Sequence, residues 1–219
     1  MNRTSVLLAL IPLGYLMGSI PFGLLVGRAK GIDPRTAGSG NIGATNLGRL
    51  LGGRYFALVF SLDLLKGLIP VLLGGLELGY TVTNRMDCFL WILIAIAALV
   101  GHSCSIFLKF KGGKGVATSA GVIFGIWPYF FLAGCLGMLA FVVIFKLTRY
   151  VSVGSMGGAL CFTLTFITLG LIRRWPIFDA QLPFLIFTLL IPTLIIYKHR
   201  ANISRLRAGT ELRIGGKSL

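Results

Sequence analysis

The chain has 219 residues, 56% hydrophobic and only 12% charged, where an ordinary soluble domain carries about 25% charged residues. With a mean hydropathy of +0.89, this composition excludes a soluble globular protein and predicts an integral membrane one. A formal charge of +15 would suggest nucleic acid in a soluble protein, but the cations lie between apolar stretches, so a positive cytoplasmic face is expected and no nucleic-acid partner.

The first apolar stretch covers residues 5–27 and is interrupted by Pro12 and Pro21. One Arg precedes it and no small-residue cleavage site follows, so it reads as a retained span. The segment 28–53 is polar, and its centre runs Gly38-Ser39-Gly40-Asn41-Ile42-Gly43-Ala44-Thr45-Asn46. Such a run cannot form a lipid-facing helix, so its backbone has to be satisfied by protein, water or ligand. Its glycines allow successive N–H groups to face one point, and Ser39, Asn41, Thr45 and Asn46 supply further donors between Arg35 and Arg49. That pattern predicts a cradle for a phosphate or carboxylate. A flexible connector would not need so many amide and hydroxyl side chains.

A second span is predicted over 55–76, with Asp63 and Lys66 three residues apart on one helix face. Charges at that depth pair and face inward, either as an internal ion pair that fixes packing or as the floor of a polar site. The third span, 88–107, carries His102 near its end in Gly-His-Ser-Cys-Ser, where a lone histidine is as readily structural as catalytic. Loop two, 108–115, holds Lys109, Lys111 and Lys114 around Gly112, Gly113 and Gly115. It is no Walker loop, since that pattern requires Ser or Thr after the lysine and Gly115 stands there. A glycine turn with lysines that opens into a helix, with Thr118 and Ser119 in its first turn, still predicts a phosphate site by dipole and charge.

Residues 116–145 carry no charge. As one helix they would reach about 45 Å, longer than a hydrocarbon core of about 30 Å. Pro128, with Gly125 before it, predicts two spans there, the first of them short. A basic loop at 146–149, a span at 151–172, a turn at Arg173-Arg174-Trp175-Pro176 and a last span at 182–197 follow. The tail, 198–219, opens with Lys198-His199-Arg200 and Asn202, either a snorkelling cluster or a site of chemistry. The expected fold is all-α: one polytopic bundle of about seven spans, a single domain over 1–219. Parity favours seven, because 16 of the 21 Lys and Arg then share one side, only Arg3, Arg85, Arg173 and Arg174 lie opposite, and Lys66 is inside a span. The N-terminus is then outside and the tail cytoplasmic. The four cysteines show no paired spacing and read as packing residues; no metal or disulfide is expected.

Several of these segments match a known family. Gly18-Ser19-Ile20-Pro21, GSGNIGATN at 38–46, GH at 101–102 leading to FLKFKGGKGVAT at 107–118, RYVSVGS at 149–155 and HRANISRLRAGTE at 199–211 occur in order over nearly the whole chain. The chain thereby resembles the bacterial acyl-phosphate:glycerol-3-phosphate acyltransferases, integral enzymes of the inner membrane. It departs after His102, where the family often has an aromatic-proline pair and this chain has Ser-Cys-Ser. The resemblance implies transfer of an acyl group from acyl phosphate to the sn-1 hydroxyl of glycerol 3-phosphate, the first acylation of phospholipid synthesis. Acyl phosphate, glycerol 3-phosphate and membrane lipids are the implied partners. Acyl-CoA and acyl carrier protein are not direct donors, and no cofactor is implied.

Two phosphate-bearing substrates account for two glycine loops and a surplus of cations. Gly38, Ser39, Gly40, Asn41, Thr45, Asn46 and Arg49 are candidates for one phosphate. Lys109, Gly112, Gly113, Lys114 and Ser152 are candidates for the other or for the oxyanion. The family pattern adds His199 and Asn202 to the pocket and has Glu211 pin the tail by pairing with a basic loop. Ser39, Lys114, His199 and Asn202 are the candidate catalytic residues, on the cytoplasmic side. The proton of the attacking hydroxyl goes either to His199 or, the preferred reading, to the acyl phosphate's own oxygens, because surrounding cations depress a histidine's basicity. A transporter would place its site near the midplane between related halves, and no internal repeat is visible. A lipid-binding scaffold would leave the Ser/Asn/Thr loop unexplained.

Overall fold

The computed structural model describes residues 2–213, and every regular element among them is helical. The last part of the basic tail, 214–219, lies outside the described residues. The chain divides into two compact units, Met1–Val82 with Leu90–Trp127, and Thr83–Phe89 with Pro128–Leu219.

In the first unit, α1 (Arg3–Ser19) starts on Asn2, whose side chain accepts from the Ser5 N–H at 2.8 Å, satisfying one of the orphan donors of a helix start. It stops at Ile20 because the residue before a proline avoids helical geometry. After Pro21, α2 (Phe22–Arg28) continues the run. The polar segment expected as loop contains a further helix, α3 (Ala44–Leu51), whose buried Ala44 and Leu47 sit one turn apart and pack against Val59. Next come α4 (Gly53–Glu77) and α5 (Arg85–Ser103), the latter in this unit from Leu90 onward. A 3-10 turn (Ile106–Leu108) and the short α6 (Val116–Gly125) complete it.

Small residues let these helices approach closely. A Cβ at Gly18 would strike the Ala98 carbonyl, one at Gly101 the Tyr15 carbonyl, and one at Gly121 the Leu64 carbonyl. Gly74 and Gly75 leave space for the Trp91 ring, whose Nε1–H donates to the Val71 carbonyl at 2.8 Å.

The second unit contains α7 (Phe131–Thr148), α8 (Val151–Ile172), α9 (Leu182–Lys198) and α10 (Arg200–Arg207). Gly137 and Gly158 bring α7 and α8 together. Phe130 makes ring contacts with Phe162, Phe166, Phe184 and Phe187 at centroid distances of 5.0–6.1 Å. Arg149, with φ +64, ends α7 and lets Tyr150 lead directly into α8.

Among the described residues, five helical stretches are long and apolar enough to cross a membrane: Arg3–Arg28, Gly53–Glu77, Arg85–Leu108, Phe131–Thr148 and Val151–Ile172. The pair α9 and α10, bent by 55°, adds a sixth when taken as one span. The short fourth span expected after loop two is α6. Its 10 residues reach only about 15 Å, half of a hydrocarbon core of about 30 Å.

Candidate active site

Loop one is built from its own polar side chains. Asp33 accepts from the Arg35 backbone N–H at 3.0 Å and from its Nε and Nη2 at 2.9 and 2.5 Å. The side-chain bonds first, and the backbone bond after them, hold the Asp33 carboxyl down at about 2. Arg35 is thereby committed to the loop. Asn46 is buried and faces inward: its Oδ1 accepts from the Ser39 N–H at 2.9 Å, and its Nδ2 lies 2.8–3.0 Å from the carbonyls of Pro34, Ala37 and Asn41. Gly38 has φ +59, and a Cβ there would run into Asn46 Oδ1, so both conformation and space require glycine. Asn41 Oδ1 accepts from the Gly43 N–H at 2.9 Å. The Asn46 amide, expected at a phosphate, frames the loop through these bonds. Ser39 stays exposed, while Thr45 and Arg49 are half-buried, four residues apart on one face of α3.

Loop two departs from its expected form in one respect. The Gly112 N–H donates to the Ser103 carbonyl and the Gly113 N–H to the His102 carbonyl, each at 3.2 Å. These two N–H groups hold the loop against the end of α5. The donors at the start of α6 remain. Gly115, in the left-handed region at φ +81, is its N-cap, and first-turn N–H groups have no intrahelical acceptor. Lys114 precedes that start and is half-buried; Lys109 and Lys111 are exposed. Lys109 and Phe110 both have positive φ, +51 and +61, an unusual conformation for adjacent non-glycine residues and one associated with functional sites. The buried hydroxyls of Ser103 and Ser119 have no hydrogen-bond partner among the described residues. Ser103 Oγ lies 3.6 Å from where a Gly115 Cβ would stand.

Beneath loop two lies a buried polar group. Asp63 and Lys66 are paired at 2.7 Å, as their spacing predicts. Lys66 Nζ also donates to the Ile20 carbonyl at 2.8 Å, where α1 breaks. His102 Nδ1 is 3.9 Å from Asp63 Oδ1 and 3.0 Å from Thr118 Oγ1. The Ser-Cys-Ser departure has a local use as well, since Ser105 Oγ donates to the Ser19 carbonyl at 2.5 Å.

In the second unit, Glu211 is the centre. Its side chain is 4% exposed, and it accepts from Asn202 Nδ2 at 2.6 Å, Arg205 Nε at 2.8 Å and Ser152 Oγ at 3.0 Å. Burial, the largest single influence, pushes the carboxyl up. The three hydrogen bonds and the Arg205 charge together outweigh it and leave the group below its ordinary range. The cation is not in a basic loop, as expected, but is Arg205, on α10 next door in the chain. Ser152 gives its single proton to Glu211, which leaves its oxygen to accept elsewhere.

His199, 3% exposed, lies at the junction of α9 and α10. Its Nδ1 is 2.7 Å from the Ile195 carbonyl. A carbonyl only accepts, so Nδ1 carries the proton and both candidate duties, proton acceptor and phosphate partner, fall to Nε2. The first unit thus gathers loop one, the α6 start and the Asp63–Lys66–His102–Thr118 group. The second gathers Ser152, His199, Asn202, Arg205 and Glu211. Sequence reasoning does not single out Arg205 or Thr118 as partners. Arg205 is open to such a reading, six residues before an isolated glutamate in a basic tail.

A family model described as glycerol-3-phosphate acyltransferase matches residues 8–209. The glycerol-3-phosphate acyltransferase of Geobacter sulfurreducens is 43% identical over 208 residues, with 94% of this chain and 96% of that protein covered. The one from Aquifex aeolicus is 40% identical over 206 residues, covering 94% and 98%. Among solved structures, PlsY (YgiH), an integral membrane glycerol 3-phosphate acyltransferase in its glycerol 3-phosphate form, is 38% identical with a TM-score of 0.84 and 96% of each chain covered. Its lysophosphatidic acid form gives a TM-score of 0.81 at the same identity and coverage. The chain belongs to the glycerol-3-phosphate acyltransferase family.

Proposed function

We propose that this membrane acyltransferase, acting as one domain over 1–219, moves a fatty acyl group from acyl phosphate to the sn-1 hydroxyl of glycerol 3-phosphate. The observation that carries the reading is end-to-end similarity to a protein solved in both a glycerol 3-phosphate form and a lysophosphatidic acid form. In the step, the hydroxyl oxygen bonds the acyl carbon, the carbon–oxygen bond to phosphate breaks, and orthophosphate leaves with the hydroxyl's proton. An acyl phosphate is already activated. The protein has to hold two anions close together and stabilise the developing oxyanion.

Within this reading Ser39, Thr45 and Arg49 bind a phosphate, with Asn41 and Gly40 shaping the loop. Lys109, Lys114 and the α6 N-terminus bind anionic charge. His199 Nε2 and Asn202 contact substrate, and Ser152 Oγ accepts from an alcohol. Asn46, Gly38, Gly112 and Gly113 position these groups. The acyl chain stays in the bilayer or bundle, since each buried methylene contributes about 0.8 kcal/mol. Purified protein is expected to release orthophosphate from acyl phosphate only when glycerol 3-phosphate is present, and to give no product from acyl-CoA. Equal rates from acyl-CoA would overturn the choice of donor.

The orientation belongs to the same proposal: seven spans in the inner membrane, with the short α6 counted as one and α9 with α10 as another, the N-terminus outside, and both glycine loops and the tail cytoplasmic. The Lys and Arg distribution supports it. Cysteines introduced at Gly40 and at Ala208 are expected to resist a membrane-impermeant thiol reagent in intact cells and to react once the cells are opened. Labelling of either from outside rejects this topology.

A further inference from the structure

The buried charges of the first unit lie outside the reacting residues just named. Asp63, Lys66 and His102 are each at most 5% exposed, in helices read as membrane spans. An ion pair so placed costs more desolvation than an apolar pair of the same size, so a role beyond stability is the first hypothesis. What these groups touch identifies that role. Lys66 Nζ reaches the Ile20 carbonyl at 2.8 Å and stands 5.8 Å from the Phe22 ring, spanning the break between α1 and α2. Asp63 joins Lys66 at 2.7 Å and faces His102 Nδ1 at 3.9 Å. His102 Nδ1 shares a hydrogen bond of 3.0 Å with Thr118 Oγ1, at the third position of α6.

The far side of the imidazole meets loop two. A Cβ at Gly113 would collide with His102 Nε2, and one at Gly112 with the His102 carbonyl. That same carbonyl receives the Gly113 N–H. The ring is therefore clamped between Thr118 on one edge and the glycine turn on the other. Close contact at Gly67, whose added Cβ would lie 2.5 Å from the Thr118 carbonyl, fixes α6 against α4.

We propose that Asp63, Lys66, His102 and Thr118 are positioning residues: a buried polar strut that sets the angle of the imidazole, and through it the course of Gly112–Gly115 and the placement of Lys114. This rests on the reading of loop two and the α6 start as an anion site. The strut touches no substrate. It acts by holding the glycine turn in the one arrangement that aims the helix start.

The test is a double-mutant cycle on Thr118 and Lys114, read as kcat/KM with melting midpoints recorded on the same purified samples. Thr118→Val keeps the shape and removes the hydroxyl. It is expected to lower kcat/KM about tenfold, while Thr118→Ser stays within about threefold of wild type. In a Lys114→Ala background the same Val substitution is expected to change the rate by less than about twofold, because the group it positions is gone. Effects that multiply in the double variant, or a Val variant with wild-type kcat/KM, overturn the strut. A Lys114→Ala enzyme of undiminished rate instead overturns the anion-site reading on which it rests. Should the Val variant not be recovered folded, Thr118→Ala runs the same cycle.

Discussion

Lys114→Ala is expected to lower turnover by on the order of 10²-fold or more, the usual loss when a charge contact made in the transition state is removed. The lysine precedes Gly115, whose left-handed N-cap opens α6, so a point charge and the positive end of a helix dipole act at the same place. Their effects reinforce each other because both are fixed before the substrate arrives. Lys114→Arg is expected to recover little. The planar fork is wider than an ammonium and has to fit beside glycines packed so closely on His102 that a single added Cβ would collide. The assay is orthophosphate release with both substrates saturating, alongside Lys111→Ala on the exposed part of the loop as a control. Near-normal turnover in Lys114→Ala would return this lysine to an ordinary positive-inside loop residue.

The helical stretches and breaks of the fold are largely legible in the sequence. Pro21, Pro128 and the turn at 173–176 separate apolar runs, and the structure ends helices shortly before each of them, at Ser19, Gly125 and Ile172, whereas Pro12, expected to interrupt the first run, lies inside an unbroken α1. Short helices are not legible. In α3 and α10, about two turns of amphipathic pattern sit in strongly polar segments, and eight residues give periodicity too little length to stand out.

At the site, composition identifies the loops but not the direction of each side chain. An asparagine in a glycine-rich loop is equally suited to a ligand and to neighbouring carbonyls, and Asn46 takes the second course. The glycines of loop two suit the exposure of N–H groups to a ligand just as well as close packing. Two of them pack on His102 and give their N–H groups to α5 carbonyls. The Asp63–Lys66 pair is readable because i and i+3 face each other on any helix. His102 and Thr118 join it only through tertiary packing, which spacing along one chain does not encode.

Glu211→Ala is expected to have the other large effect, on the fold of the second unit and through it on activity. Removing the carboxylate leaves Ser152 Oγ buried without its acceptor, at about 1–3 kcal/mol, and takes from Asn202 Nδ2 and Arg205 Nε a hydrogen bond each. Against a total stability of about 5–15 kcal/mol, that is a large share, so a melting midpoint many degrees lower and little purified activity are expected. Glu211→Gln separates the geometry from the charge. Its amide oxygen can still accept from Ser152 and Asn202, but it gives Arg205 no anion, so this variant is expected to fold and to keep part of the rate. The pH dependence follows from the depressed carboxyl. A group held below its ordinary value of 4.5 contributes stability that is present above that value and lost as pH falls through the folded one. The midpoint difference between wild type and Glu211→Gln is therefore expected to be full near neutrality and to shrink on acidification below the ordinary glutamate range. A difference that stays constant down to strongly acidic pH, or a Glu211→Ala protein as stable as wild type, would show that the carboxylate does not hold this pocket together.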